Sequence, residues 1–203
     1  MPNIQTLTLG AYQTNCYLVR AADSKTCAVI DPGYEPETVL GKVQELGLTV
    51  DAVLLTHGHF DHVGGVEAIV KATGCALWTH RNDWSLSPNP INKRLYPIAN
   101  RDFAKVSFCE DQEKITAGGL TFTVFETPGH TAGSVCYLCE NALFSGDTLF
   151  AGSCGRTDLP GGSKRSLRAS LARLSGFDDA LSVYPGHGCA TTMAAEKRRN
   201  PYL

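Results

Sequence analysis

Apolar positions in this chain arrive in short runs, and their spacing alternates between a period of two and one of about 3.6 residues. Residues 4–9, 15–20 and 26–30 are rich in apolar and β-branched side chains with polar breaks between them, which predicts three consecutive strands. Asp31-Pro32-Gly33 then signals a turn. Across 35–46 the period lengthens. Val39, Leu40, Val43 and Leu46 form an apolar stripe, Glu35 and Glu37 occupy the first turn, and Gly47 stops the helix. The run Asp51-Ala52-Val53-Leu54-Leu55 reads as a short buried strand. A polar loop follows it, then a helix over 64–73 ended by Gly74 and a strand over 75–79. The second half returns to strands at 106–108, 120–125, 134–139 and 142–145. A helix over 163–174 carries Leu167, Leu171 and Leu174 on one face, and Lys164, Arg165, Arg168 and Arg173 read as its solvated face. The chain closes with a helix over 191–199 capped by Thr191 or Thr192. Strand runs followed by helices, twice over, predict an α/β protein.

Residues 80–104 break the pattern. His80, Asp83, Trp84, Pro88, Pro90 and Pro97 suggest a helical turn followed by an irregular excursion, made polar and basic by Asn92, Lys93, Arg94, Tyr96 and Arg101. A loop of this length inside a compact domain is often a lid or a binding wall, so it is read either as a wall of a substrate site or as a solvated connector. His80 is read as a surface or orienting histidine.

A chain of 203 residues with 43% hydrophobic and 19% charged side chains can build one sizeable core, and residues 1–203 are read as a single domain. The formal charge of −2 gives no pull toward nucleic acid or anionic lipid. No apolar run approaches the roughly 18 residues of a membrane span. The N-terminus lacks a basic segment followed by an apolar one, which points to the cytoplasm. Eight cysteines, at 16, 27, 75, 109, 136, 139, 154 and 189, are scattered through apolar runs. Cys136 and Cys139 share a strand and should face opposite ways, so the set reads as reduced thiols filling a core. Cys154 and Cys189 differ, because each borders a chemically suggestive segment.

That chemistry is concentrated in Thr56-His57-Gly58-His59-Phe60-Asp61-His62-Val63-Gly64-Gly65, where three of the chain's six histidines and a carboxylate fall within six residues. Imidazole and carboxylate together suit zinc, iron or manganese. Three later segments repeat one arrangement, an apolar strand, a glycine and then a single potential ligand: Pro128-Gly129-His130, Ser145-Gly146-Asp147 and Pro185-Gly186-His187. His57, His59, Asp61, His62, His130, Asp147 and His187 make seven candidates. One tetrahedral zinc takes about four, so seven predicts two metals sharing a carboxylate, about 3.5–4 Å apart as in dinuclear hydrolases.

In order and spacing, the set Thr-His57-x-His59-x-Asp61-His62, Gly-His130, Ser-Gly-Asp147 and Pro-Gly-His187 resembles the metallo-β-lactamase superfamily over nearly the whole chain. Gly146-Asp147-Thr148-Leu149-Phe150, Gly155-Arg156-Thr157-Asp158, Tyr184-Pro185-Gly186-His187 and the final Asn200-Pro201-Tyr202-Leu203 are most similar to its glyoxalase II-like branch. The resemblance implies a four-layer αββα sandwich. It implies a first metal on His57, His59 and His130, a second on Asp61, His62 and His187, and Asp147 between them. Zinc is expected, with iron or manganese as alternatives. Two such ions bring the pKa of a shared water toward 7 and stabilise a developing oxyanion, with Asp61 holding the nucleophile in place. A thiolate leaving group, with a pKa of about 8.5, needs no general acid, so the expected substrate is a small thioester of the hydroxyacylglutathione kind.

The branch's C-terminal helical domain is not present in this sequence. Asp158 and Cys189 stand where the branch has tyrosines, while Arg156 keeps a positive charge. Arg156 is therefore the candidate substrate-binding residue, able to grip a carboxylate or else to pair with Asp158. Two other activities share the resemblance. One is a mononuclear iron persulfide dioxygenase, held by the equivalents of His57, His130 and Asp147 and sharing the Gly-Arg-Thr-Asp run. The other is a nuclease, which would want a basic face and an extra domain. β-Lactam hydrolysis is disfavoured without an export signal. The expected partner is a small molecule, with neither nucleic acid nor membrane, and the reading leaves room for a homo-oligomer.

Overall fold

The computed structural model describes every residue except Pro88, Asn100 and Ala104. Those three positions of the irregular excursion therefore lie outside the described residues. Strands β1 (Asn3–Leu9), β2 (Thr14–Arg20) and β3 (Thr26–Ile30) each run antiparallel to the next. They continue in parallel register into β4 (Thr49–Leu54), β5 (Ala76–Thr79) and β6 (Val106–Phe108), completing a six-stranded sheet in sequence order. Helices α1 (Pro36–Glu45) and α3 (Val66–Thr73) make the parallel crossovers, and a single turn, α2 (Phe60–Val63), precedes α3.

The second sheet contains β7 (Lys114–Ala117), β8 (Leu120–Glu126), β9 (Val135–Cys139), β10 (Ala142–Gly146), β13 (Ser182–Pro185) and β14 (Thr191–Thr192). Its order is β14-β13-β10-β9-β8-β7, and only β10 and β13 run parallel. Between them lie the small hairpin β11 (Leu149–Phe150) with β12 (Ser153–Cys154) and helix α6 (Lys164–Leu174). Helix α7 (Met193–Arg199) ends the fold, capped by the Thr192 hydroxyl on Ala195 N.

Three apolar clusters separate four layers. Strand alternation sends Cys16, Leu18, Val29 and Val53 outward onto α1 and α3, through Val39, Val43, Val66 and Ile69. Their neighbours Tyr17, Ala28, Ile30 and Leu54 face inward against Phe122, Val124, Tyr137 and Phe144 of the other sheet. Beyond that sheet, Cys136, Leu143 and Val183 pack on Leu167, Leu171 and Leu174 of α6 and Met193 of α7. The architecture is thus αββα, as the resemblance implied. Cys136 faces α6 and Cys139 the inter-sheet core, so the Cys-x-x-Cys pair is split between faces. All eight thiols are unpaired, and six of them are buried.

Two differences from the sequence reading have local causes. Strand β7 is only four residues long, too short to show a period, yet it forms a hairpin with β8 through Gly118-Gly119. Both glycines have positive φ, and Ala117 faces Leu120 across the turn. Residues 80–104 contain two short helices, α4 (Arg81–Trp84) and α5 (Pro90–Leu95), and the excursion is fastened to the body by buried Asp83, Tyr96 and Ile98.

Candidate metal centre

All the candidate ligands leave strand ends on one side of the sandwich. β4 leads into His57, β8 toward His130, β10 into Asp147 and β13 into His187. Glycines let these segments approach. A side chain at Gly33 would be driven into the Asp61 carbonyl oxygen, and one at Gly155 into that of Asp147. The ends of the two sheets are tied together directly. Val135 N donates to Thr56 O at 2.8 Å and the Tyr137 hydroxyl to Leu55 O at 2.8 Å. Asn15 N donates to Gly186 O at 2.8 Å, and the Tyr17 hydroxyl donates to Pro185 O.

The structure brings all seven predicted ligands together. Donor atoms of His57, His59 and His130 lie within 4.8 Å of one another, as do those of Asp61, His62 and His187. His59 Nδ1 and His130 Nε2 approach to 2.8 Å. Asp147 lies between the triads, with its oxygens 3.3 Å from His62 Nε2, 3.5 Å from His130 Nε2 and 3.7 Å from His187 Nε2. Asp61 Oδ2 is 3.2 Å from His187 Nε2.

Hydrogen bonds on the far side of each ring set which nitrogen faces the centre. His130 Nδ1 is 2.8 Å from Arg156 O, so it carries its proton there and leaves Nε2 as a lone pair. His187 Nδ1 is 3.1 Å from Tyr12 O, which turns Nε2 toward Asp61. The Thr56 hydroxyl donates to Asp31 Oδ2 at 2.6 Å, so it can only accept from His57 Nδ1 at 3.1 Å. His57 Nε2 is thereby also a bare lone pair. It is buried with no hydrogen-bond partner, as are His59 Nε2 and Asp147 Oδ1, the last having His62 close but out of hydrogen-bonding alignment. Buried polar atoms are rarely left so, and buried lone pairs such as those of His57 Nε2 and Asp147 Oδ1, with no donor to satisfy them, are what a cation satisfies. The residues therefore fit divalent metal ions.

Electrostatics agree. Burial, then the neighbouring imidazoles, depress His57 well below its usual value and bring His59 to about 3, so both rings are neutral. At His62 the cost of burial is outweighed by Asp147 and Asp31, which raise it. Burial also penalises the Asp61 carboxylate, but the His187 hydrogen bond and the His62 charge overcome this and hold it low.

Two buried carboxylates were not recognised from sequence. Asp31, read there as a turn, accepts from Thr56 N at 2.8 Å and Thr56 Oγ1 at 2.6 Å, and its Oδ2 lies 3.0 Å from His62 Nδ1. It lies close enough to His57 and His62 to count as a ligand itself, but these bonds already engage both its oxygens, and it orients the two rings. Like the ligands it sits at the end of an apolar strand beside a glycine, but here the glycine follows the polar residue, in Asp31-Pro32-Gly33. Asp83 accepts from Gly58 N at 2.8 Å, Thr131 Oγ1 at 2.7 Å and Gly133 N at 2.8 Å. It joins the His57–His62 loop to the His130 loop, and no local pattern announces it. His80 lies apart, capping α4 through Asn82 N and pairing with Glu126 at 3.2 Å.

A cavity of about 290 Å³ opens over the centre, lined by Tyr12, Phe60, Leu159 and Arg156 together with the ligands. Arg156 stands at its rim in a two-pronged bond to Asp158, at 2.7 Å for both prongs, with both side chains mostly exposed. An apolar groove continues from the same cavity between Tyr12, Phe60, Leu159 and helix α5, so part of the irregular excursion walls the site.

Residues 9–187 match the family described as Metallo-beta-lactamase superfamily. Hydroxyacylglutathione hydrolase GloC of Haemophilus influenzae is 34% identical over 208 residues, covering 99% of this chain and 98% of its own. Among solved structures, TTHA1623 in a di-iron-bound form is 38% identical with a TM-score of 0.84, covering 98% of this chain and 100% of its own. ETHE1 from Myxococcus xanthus is 32% identical with a TM-score of 0.83, covering 98% of this chain and 83% of its own.

Proposed function

This chain belongs to the metallo-β-lactamase superfamily and is a metallohydrolase, and from that premise we propose that it hydrolyses small thioesters at a dinuclear site within one domain, residues 1–203. The observation that carries the proposal is the pair of donor triads flanking Asp147, with unpartnered lone pairs buried between them. His57, His59 and His130 would hold one ion, Asp61, His62 and His187 the other, and Asp147 both. Zinc is the ion proposed, and the similarity to a di-iron structure keeps iron as the alternative, with manganese also compatible with the donors. Such ions supply a water acidified to near neutral pH and a Lewis acid for the carbonyl.

The chain's own groups do the rest. Asp61, fixed by His187 at 3.2 Å, holds the nucleophilic water by one of its protons, on the side from which the acyl carbon is attacked. Tyr12, Phe60 and Leu159 exclude bulk water from that face. Addition of the water oxygen and loss of the thiolate complete the exchange, and the thiolate leaves without a proton. Arg156 at the rim faces the carrier and can exchange Asp158 for a substrate carboxylate. A cavity of this size over the centre suits a small molecule and not a nucleic acid. Eight unpaired thiols suit a reducing compartment, the cytoplasm. No described helix is long and apolar enough to cross a membrane.

Elemental analysis of the purified protein, combined with a screen of thioesters and of glutathione persulfide, tests the reading. Two metals per chain and thioester cleavage are expected. One iron per chain with oxygen uptake on the persulfide would replace it with a dioxygenase, the alternative kept open by similarity to ETHE1. Asp147→Ala is expected to lose at least one metal, and retention of two with normal turnover contradicts the assignment.

A further inference from the structure

Beside the metal cavity lies a second and larger one, of about 630 Å³, between the loop after β12, helix α6 and the C-terminal residues Pro201 and Tyr202. Arg156 lines both, so the two adjoin at that residue. Lys164, Leu167, Arg168 and Leu171 recur at helical spacing and bring one face of α6 to the cleft. Leu167 and Leu171 are buried and form its floor. Lys164 and Arg168 stand on its rim, exposed, and neither has an ion pair or hydrogen bond among the described residues. No acidic side chain lines the cleft. Arg156 is already neutralised by Asp158, so the uncompensated charge comes from α6. That helix is seated against the centre, with Ser163 N donating to Gly129 O at 2.8 Å beside His130. Its cations therefore stand at a fixed place relative to the metal ligands. By sequence these residues form an ordinary solvated face, whereas in the fold two of them stand on the rim of a concave, apolar-floored cleft that adjoins the catalytic cavity at Arg156.

We infer that this cleft is an anion subsite, in which Lys164 and Arg168 receive the negatively charged tail of the thiol carrier while its sulfur reaches the metal cavity past Arg156. The inference rests on the thioester reading and specifies its carrier. An ammonium and a guanidinium on one side of an apolar slot select a tail bearing carboxylates or phosphates over a neutral one.

Three thioesters with the same acyl group test this: one of glutathione, bearing carboxylates, one of coenzyme A, bearing phosphates, and the neutral N-acetylcysteamine thioester. The readout is kcat/KM for each anionic thioester divided by that for the neutral one. Lys164→Ala/Arg168→Ala should lower this ratio about tenfold, the effect of two partly screened charges, and mainly through KM. Lys164→Glu/Arg168→Glu should lower it further. Whichever anionic thioester loses more identifies carboxylate or phosphate as the group received. Arg165→Ala, on the same helix but outside the cleft lining, should not change the ratio. An unchanged ratio for both anionic thioesters in the double variants overturns the subsite. If the wild type cleaves no thioester, the hydrolase reading falls separately. The subsite is then tested alone, by calorimetric titration of S-methylglutathione and S-methyl-coenzyme A. Weaker binding of either to the double alanine variant supports it, and equal or absent binding overturns it.

Discussion

Asp83→Asn isolates the carboxylate that joins the two ligand loops. Asp83 is 2% exposed and its two oxygens serve three donors, Gly58 N, Gly133 N and Thr131 Oγ1. An asparagine of the same shape has one oxygen. If that oxygen takes the place of Oδ2, it keeps Gly58 N and Thr131, and its amide group meets Gly133 N donor to donor. If it takes the place of Oδ1, the conflict moves to Gly58 N. Thr131 can adapt, because its hydroxyl also contacts Ser134 Oγ at 2.8 Å and can turn its proton there. A backbone N–H cannot. Either rotamer therefore orphans one buried amide, at about 1–3 kcal/mol. Asp83→Ala orphans both backbone amides, while Thr131 turns to Ser134, and should cost about 3–5 kcal/mol. Urea unfolding of the metal-free proteins reads these values as shifts in midpoint at constant slope. The function-specific reading is cobalt uptake followed by absorbance, because Gly58 separates His57 from His59 and Gly133 follows His130. The Asn variant should bind the ion of the first triad at least tenfold more weakly. Asn and Ala variants both within about 0.5 kcal/mol of the wild type, with cobalt affinity unchanged, would refute the reasoning.

Three further outcomes are expected. Gly33→Ala places a methyl group where the Asp61 carbonyl oxygen sits, so it should displace the His57–His62 loop and lower metal content per folded chain, measured by elemental analysis of the soluble fraction. A thiol reagent should label exposed Cys189 quickly in the native protein and Cys154 slowly, since burial raises the Cys154 thiol. The six buried cysteines should react only after unfolding. Arg173 grips Asp111 at 2.7 and 3.0 Å and its hydrogen bond holds that carboxyl below its ordinary 3.8. The unfolded chain therefore binds this proton more tightly. The stability the pair contributes is full above about pH 4 and is lost as pH falls through the depressed pKa, so Asp111→Asn should be destabilised at pH 7 and converge with the wild type in acid unfolding curves.

The ligands were legible because each is announced locally, four by the dense run from His57 to His62 and three by an apolar strand, a glycine and a polar residue in sequence order. The groups that hold them are not. Asp31 and Asp83 reach Thr56, His62, Gly58 and Gly133 across gaps of 25 to 50 residues, so the role of Asp31 exists only once β3 and β4 have paired, and that of Asp83 only once the sheets have packed. Residues 80–104 read as irregular because α4 and α5 are too short to show a period, and because what fixes them is tertiary. Tyr96, for instance, lies with its ring 4.9 Å from that of His59 and its hydroxyl donating to Pro160 O at 3.0 Å. The basic residues of α6 were legible as a helix face, but the cleft beneath them needs Tyr202 and the 154–157 loop to exist.

Each donor triad takes two residues from the first sheet's β4 loop and one from the second sheet. Each sheet alone is thus an incomplete chelator, and docking supplies the missing imidazole at an effective concentration that the core between the sheets determines. By reciprocity, whatever free energy docking lends to a bound cation, the cation returns to docking. Metal affinity in this protein is therefore a gauge of how well Tyr17, Phe122, Tyr137 and Phe144 pack, and a change buried in that core, far from any ligand, would be felt as a weaker grip on the ion.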